Sequence, residues 1–224
     1  MTPLDTPRNP ARPIQEMAEV HLLVHEFDQW PAEYVCLSRR DELIPSPLRT
    51  TLWDKPRARR HLSRHIARAL DLQPCETQRA RAEWTVALLK ARPLNHLALH
   101  VAAVASSVHV RRCLLREDVL AWREWLTPAP FEFAQRTASL LPLKAGADMA
   151  IDRALSAESV GLRWLARAAQ AWPEPLARRF LLKMPRADAE NPCGADPTAA
   201  MRLASSVLSI VEPRWCSLLA THLH

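Results

Sequence analysis

Glycine occurs only three times in 224 residues, at Gly146, Gly161 and Gly194, and this scarcity constrains the fold more than any other feature. Tight two-residue hairpins and phosphate-cradling loops both rely on residues that accept positive φ, a region that glycine enters without steric penalty. A chain this poor in glycine has little means of building a meander of hairpins, and Rossmann and P-loop chemistry are excluded. Proline, by contrast, occurs 19 times. It lacks an amide hydrogen and collides with the preceding turn, so it stops helices and has no place in central strands. Many short helices with abrupt ends are the natural outcome. With 48% of its residues apolar, the chain can build a core around them.

Periodicity fills in the elements. Residues 1–13 carry four prolines and read as a mobile tail. From Ile14 the apolar positions Met17, Val20, Leu23, Val24 and Phe27 follow a helical face, which Asp28 and Pro31 interrupt. Residues 57–71 form the clearest amphipathic segment: Leu62, Ile66, Ala69 and Leu70 share one side, and Arg57, Arg60, Arg64 and Arg68 the other. A helix is expected from Thr77 to about Ala91. Another begins at Pro93, with the stripe Leu94, Leu97, Val101, Val104 and Val108; being apolar or neutral almost all round, it is the candidate central helix. Further helices are expected at 117–126, 131–141, from a Ser156 cap to Trp172, and from Pro173 to before Pro185. Residues 185–197, rich in proline and acidic side chains, read as an exposed linker. The expectation is therefore an all-α fold of about ten short helices without a sheet: a main domain over 14–184, the linker, and a C-terminal helical pair over 198–224 packed on the main domain.

Thirty basic residues against 24 acidic ones leave a net charge of +6, and all but Lys55, Lys90, Lys144 and Lys183 of the basic residues are arginine. The planar guanidinium suits carboxylate and phosphate, so the charge allows acidic proteins, anionic surfaces or nucleic acid as partners without choosing among them. The five cysteines are odd in number and widely spaced, which argues against a disulfide framework and for a reducing cytoplasm. No secretory leader is apparent, and the uncharged run from Leu94 to Val110 is too short and too polar to span a bilayer.

Catalytic signals are weak. The histidine pairs His21/His25, His61/His65 and His96/His100 have helical ligand spacing, but none belongs to a His-Glu-x-x-His motif and a third ligand is not evident. No Gly-x-Ser-x-Gly elbow occurs. Arginines precede Cys113 and could activate it, although a structural cysteine is the simpler reading. The pairs Asp41/Glu42, Glu117/Asp118 and Asp188/Glu190 sit at loops or helix starts, where they complement the helix dipole. No catalytic, cofactor-binding or metal-binding residue is assigned, and the chain is read as a non-enzyme without cofactor. Binding signals are stronger. The arginine face of 57–68 suits an acidic protein surface, or else duplex DNA if the chain is a nucleic-acid-binding regulator. Arg111, Arg112, Trp122 and Trp125 form a second candidate contact region, because tryptophan and arginine are enriched at binding hot spots.

The order of several motifs resembles one protein family. Phe27-Asp28-x-x-Pro31-Ala32-x-Tyr34, followed by Ser38-Arg39, is similar to the opening signature of the SctK family (also YscK or PscK), accessory proteins of bacterial type III secretion systems. Leu97-Ala98-Leu99 with its alanine-rich helix, Arg111-Arg112, the tryptophan-rich helix end, Phe133-Ala134 and Leu140-Leu141 resemble its centre. Gly161, Trp172-Pro173, Arg178-Arg179 and Leu182-Lys183-Met184-Pro185 resemble its C-terminal half. Cys36 and Leu37 depart from the histidine and proline expected there. The resemblance implies a helical, non-enzymatic adaptor of the cytoplasmic sorting platform, peripheral to the inner membrane at the base of the secretion apparatus. It would link the cytosolic domain of the inner-membrane ring protein (SctD type) to the pod protein (SctQ type), and through it indirectly to stator and ATPase, without nucleic acid and without inserting into the membrane.

Overall fold

The computed structural model describes residues 11–44, 52–75, 81–137 and 151–222. Among them the fold is all-α, with thirteen α-helices, one 3-10 turn and no strand. In chain order the helices are α1 (Ala11–Gln29), α2 (Leu37–Leu43), α3 (Pro56–Ala69), α4 (Arg81–Ala87), α5 (Ala91–Ala105), α6 (Ser107–Arg112), α7 (Arg116–Leu126), α8 (Pro128–Thr137), α9 (Ala157–Ala169), α10 (Glu174–Leu181), α11 (Arg186–Glu190), α12 (Pro197–Val211) and α13 (Pro213–His222). The 3-10 turn, Pro31–Glu33, follows α1.

The centre of the fold is α5. Leu94, Leu97, Ala98 and every residue from His100 to Ala105 are buried, as an element without a polar face requires. Helices α8, α9 and α12 pack around it, and α9 makes the most extensive contact. That contact is close because Gly161 of α9 sits directly against the Ala98 backbone. Helix α9 begins as expected: the Ser156 hydroxyl accepts the Ser159 amide hydrogen at 3.1 Å. A smaller core stands beside the main one, built from Ala32, Val35, Ile44, Trp53, Leu62, Ile66 and Leu182. It seats the apolar side of α3 on the 3-10 turn, and the buried Ser63 hydroxyl accepts the Ala32 amide at 3.2 Å.

Several boundaries differ from the sequence reading. Helix α1 starts at Ala11, three residues before Ile14; of the expected tail, residues 1–10 lie outside the described residues, as do Thr77 and the end of the 131–141 segment. The long helix expected from Pro93 breaks at Ser106, whose hydroxyl donates to the Ala102 carbonyl at 2.8 Å. Such back-bonding competes with the helix ladder and bends the chain. The bend places Val108 on α6, partly exposed rather than in the central stripe. The expected linker at 185–197 contains α11; Arg186, Ala187, Glu190, Asn191, Gly194 and Asp196 are exposed along it, but Asp188 is buried, where it accepts hydrogen bonds from Ser159 and Arg163. Positive φ falls on Asp71 and Thr127, not on a described glycine.

Candidate functional site

Three surfaces or clusters gather the residues with chemical potential. The first is the outer face of α3. Arg57, Arg60, Arg64 and Arg68 are all exposed, and among the described residues none of the four guanidinium groups meets a carboxylate. Arg57, Arg60, His61, Arg64 and Pro56 line an open depression of about 570 Å³. Arg60 lies over the Trp30 ring at 5.5 Å, which fixes one end of the face. The adjacent Arg59 points elsewhere: it donates to Glu33 at 2.8 Å and to the Trp53 carbonyl at 2.9 Å, tying α3 to the 3-10 turn. The sequence pattern thus places the four arginines of the face together, and the structure leaves them to solvent.

The second is the corner where α6 meets α7. Arg111 and Arg112 end α6 on the surface. The two tryptophans do not join them there. Trp122 is only 6% exposed, stacked near His109, with the Arg153 guanidinium 4.7 Å above its ring. Trp125 packs edge-on to Trp122 at 5.4 Å and donates its indole hydrogen to the Leu155 carbonyl at 2.8 Å. Both rings thus attach the 151–155 segment to α7, and Trp122 has no surface to offer a partner. The exposed apolar side chains of this corner are instead Leu120, on the expected 117–126 helix, and Leu114 and Leu115, which the sequence reading passed over. Leucines in a short inter-helix connection carry no periodic signal that distinguishes inside from outside.

The third is a buried cluster that sequence spacing does not reveal. Asp28 at the end of α1 pairs with Arg179 at 3.3 Å and accepts the Cys75 amide hydrogen at 2.9 Å. The Arg179 guanidinium also donates to the carbonyls of Asp28, Gln73 and Pro175. Next to it, the Tyr34 hydroxyl donates to the Phe27 carbonyl at 2.9 Å, and the two rings stack with centroids 5.0 Å apart. Lys183 donates to the carbonyls of Ala87 (2.5 Å) and Leu89 (2.8 Å), with its ammonium over both aromatic rings. The Cys36 amide completes the closure by donating to the Leu182 carbonyl at 2.8 Å. A cleft of about 760 Å³ opens above, lined by Leu23, Trp30, Leu88, Leu162 and Lys183 among others.

Burial pushes the Lys183 ammonium down from 10.5 to about 7, the Cys75 thiol up to about 12 and the Tyr34 phenol up as well. The two carbonyls and two rings around Lys183 oppose part of that push. Between pH 7 and 10.5 the unfolded chain holds a proton on Lys183 that the folded chain has released, so stability rises with pH through this window. The thiols work the other way: above their unfolded value of 9.0 they ionise only when unfolded, so stability falls again. The urea midpoint is therefore expected to climb between pH 7 and 9, by up to about 2 kcal/mol of stability, and then decline. Lys183→Met should flatten the rising limb; an unchanged rise in that variant would assign the effect to another group.

The histidine pairs are separate from one another. His96 and His100 pack edge to face at 4.4 Å, and the His100 ring, bonded to the His96 carbonyl and set against Phe133, is held below its usual pKa by burial. His21, His25, His61 and His65 are exposed. Among the described residues no three histidine, cysteine or acidic side chains are gathered as a metal ion would require. Among them, too, no helix is long and apolar enough to cross a membrane. In comparisons with protein-family models, curated proteins and solved structures, the chain matched none.

Proposed function

We propose that the chain is a non-enzymatic adaptor of the SctK type, joining a ring protein of the SctD type to a pod protein of the SctQ type in the cytoplasmic sorting platform of a type III secretion system. The observation that carries this reading is the buried cluster. Phe27, Asp28 and Tyr34 of the motif resembling the family's opening meet Arg179, Leu182 and Lys183 of the motif resembling its C-terminal half, across 151 residues of sequence in the case of Asp28 and Arg179. Residues that resemble a family only by order and spacing gain weight when they also meet in space. Their polar atoms are engaged with one another, so the motif reads as a fastening of the fold and not as a reaction centre.

Two further features suit an adaptor. The arginine face lies on α3 over the small core, apart from the main one, so a partner could be held there without disturbing the larger part of the helical body. The arginine face is also exposed and uncompensated by described carboxylates, which suits an acidic protein surface and changes little in the fold when altered.

The test is the triple substitution Arg60→Glu, Arg64→Glu, Arg68→Glu. It should leave the thermal unfolding curve within about 1 kcal/mol of the parent while abolishing co-elution with one of the two partner proteins and with it secretion. Unchanged co-elution with both would remove this face from the interface. The competing reading, a regulator using the same helix on DNA, predicts duplex binding that weakens steeply with salt and is lost in the triple variant. That outcome would replace the adaptor reading.

A further inference from the structure

The connection between α6 and α7 exposes two consecutive leucines, Leu114 at 93% and Leu115 at 66%. Folding gains nothing from an almost fully solvated Leu114. Leu115 occupies the N-cap of α7 and supplies no hydrogen bond there, at a position where serine, threonine, asparagine or aspartate would satisfy an open amide. The pair is bracketed by charge of one sign: Arg111 and Arg112 before it, Arg116 after it, all three exposed, with no acidic residue between. One turn further on, Leu120 is 51% exposed on the same helix. The acidic residues of this stretch, Glu117, Asp118 and Glu124, all lie beyond Arg116.

We propose that the Leu114–Leu115 tip, with Arg111, Arg112 and Arg116, docks on an anionic bilayer surface. The leucines would enter the headgroup and acyl boundary while the arginines engage lipid phosphates at the level of the headgroups. A convex pair of leucines buries little area against a folded protein, which needs a broad complementary patch for stable contact. A bilayer requires no shape complement, and its phosphates match a guanidinium fork. The contact is interfacial, consistent with the absence among the described residues of a helix able to span the membrane. It does not depend on the adaptor reading, because the assay contains no secretion component.

The experiment is flotation of the full-length chain with vesicles of phosphatidylcholine alone and of phosphatidylcholine with phosphatidylglycerol at about three to one, at low and physiological salt. Binding is expected to the anionic vesicles only and to weaken with salt. Leu114→Glu with Leu115→Glu should reduce it by at least about tenfold, and Arg111→Gln with Arg116→Gln by a similar factor. Both pairs lie on the surface, so their thermal unfolding should match the parent, and this is measured alongside. Absence of binding to either vesicle overturns the proposal. So does binding that the leucine variant leaves unchanged, which would mark general attraction by the arginine face of α3.

Discussion

Replacing Arg179 with methionine should destabilise the fold by about 3–5 kcal/mol, the range seen when one member of a buried ion pair is removed. Arg179 is only 3% exposed, and methionine roughly conserves its apolar stem, so the loss reports on the guanidinium. Its removal leaves the Asp28 carboxylate without its cation and strips the Asp28, Gln73 and Pro175 carbonyls of a donor. Arg179→Lys should recover only part of the loss, because a single ammonium cannot reach all of these acceptors. Asp28→Asn should cost less than Arg179→Met, since the amide oxygen still accepts from Cys75. Urea unfolding of the three variants checks the order. A loss below about 1 kcal/mol for Arg179→Met would mean that water replaces the guanidinium and that the cluster is not what fastens the two ends of the chain.

Gly161→Ala offers a test in which two principles predict opposite signs. In an exposed helix, alanine is favoured over glycine by about 1 kcal/mol. Here the added methyl group would sit 2.8 Å from the Ala98 Cα and closer still to its carbonyl group. Backbone cannot rotate away as a side chain does, so α9 must separate from α5, the contact on which the main core is built. Overpacking of this kind costs about 1–3 kcal/mol, which exceeds the propensity gain, and Gly161→Val should cost more still. A thermal melt decides the sign: a rise in Tm for Gly161→Ala would show that the two helices slide apart without penalty. Ala98→Gly should not rescue the variant, because the clash is with the backbone of residue 98 and not its methyl group.

The elements that sequence reading located well are those in which one face repeats. Helix α3 is legible because its leucine and isoleucine recur opposite its arginines, and α5 because, beyond Arg92 in its first turn, only Asn95, His96 and His100 interrupt its apolar residues. The α9 cap is legible because serine at that position satisfies a known open amide. Misreadings arise where long-range partners override local composition. The segment around residue 190 is largely solvated, as its prolines and acids suggest, but Ser159 and Arg163 on α9 draw Asp188 inward. The break at Ser106 depends on a hydroxyl turning back on its own helix, which periodicity cannot show. For the site, the arginine face was visible as a pattern. Trp122 and Trp125 were visible only as residue types, and the packing of the buried Trp122 and half-buried Trp125 against residues 151–155 follows from contacts about thirty positions away. The Asp28–Arg179 and Lys183 cluster was visible as motifs, and its meeting in space was not.

The fastening of Asp28, Tyr34 and Cys36 to residues 179–183 also sets an order of assembly during synthesis. A nascent chain leaves the ribosome from its N-terminus, so α1 and the 3-10 turn emerge long before the arginine and lysine that hold them. Until residue 183 clears the exit tunnel, the first third of the molecule can form helices but cannot lock them, and its apolar stripes remain available to chaperones. Truncation anywhere before that point should therefore yield a chain that is degraded or held, not a smaller folded fragment.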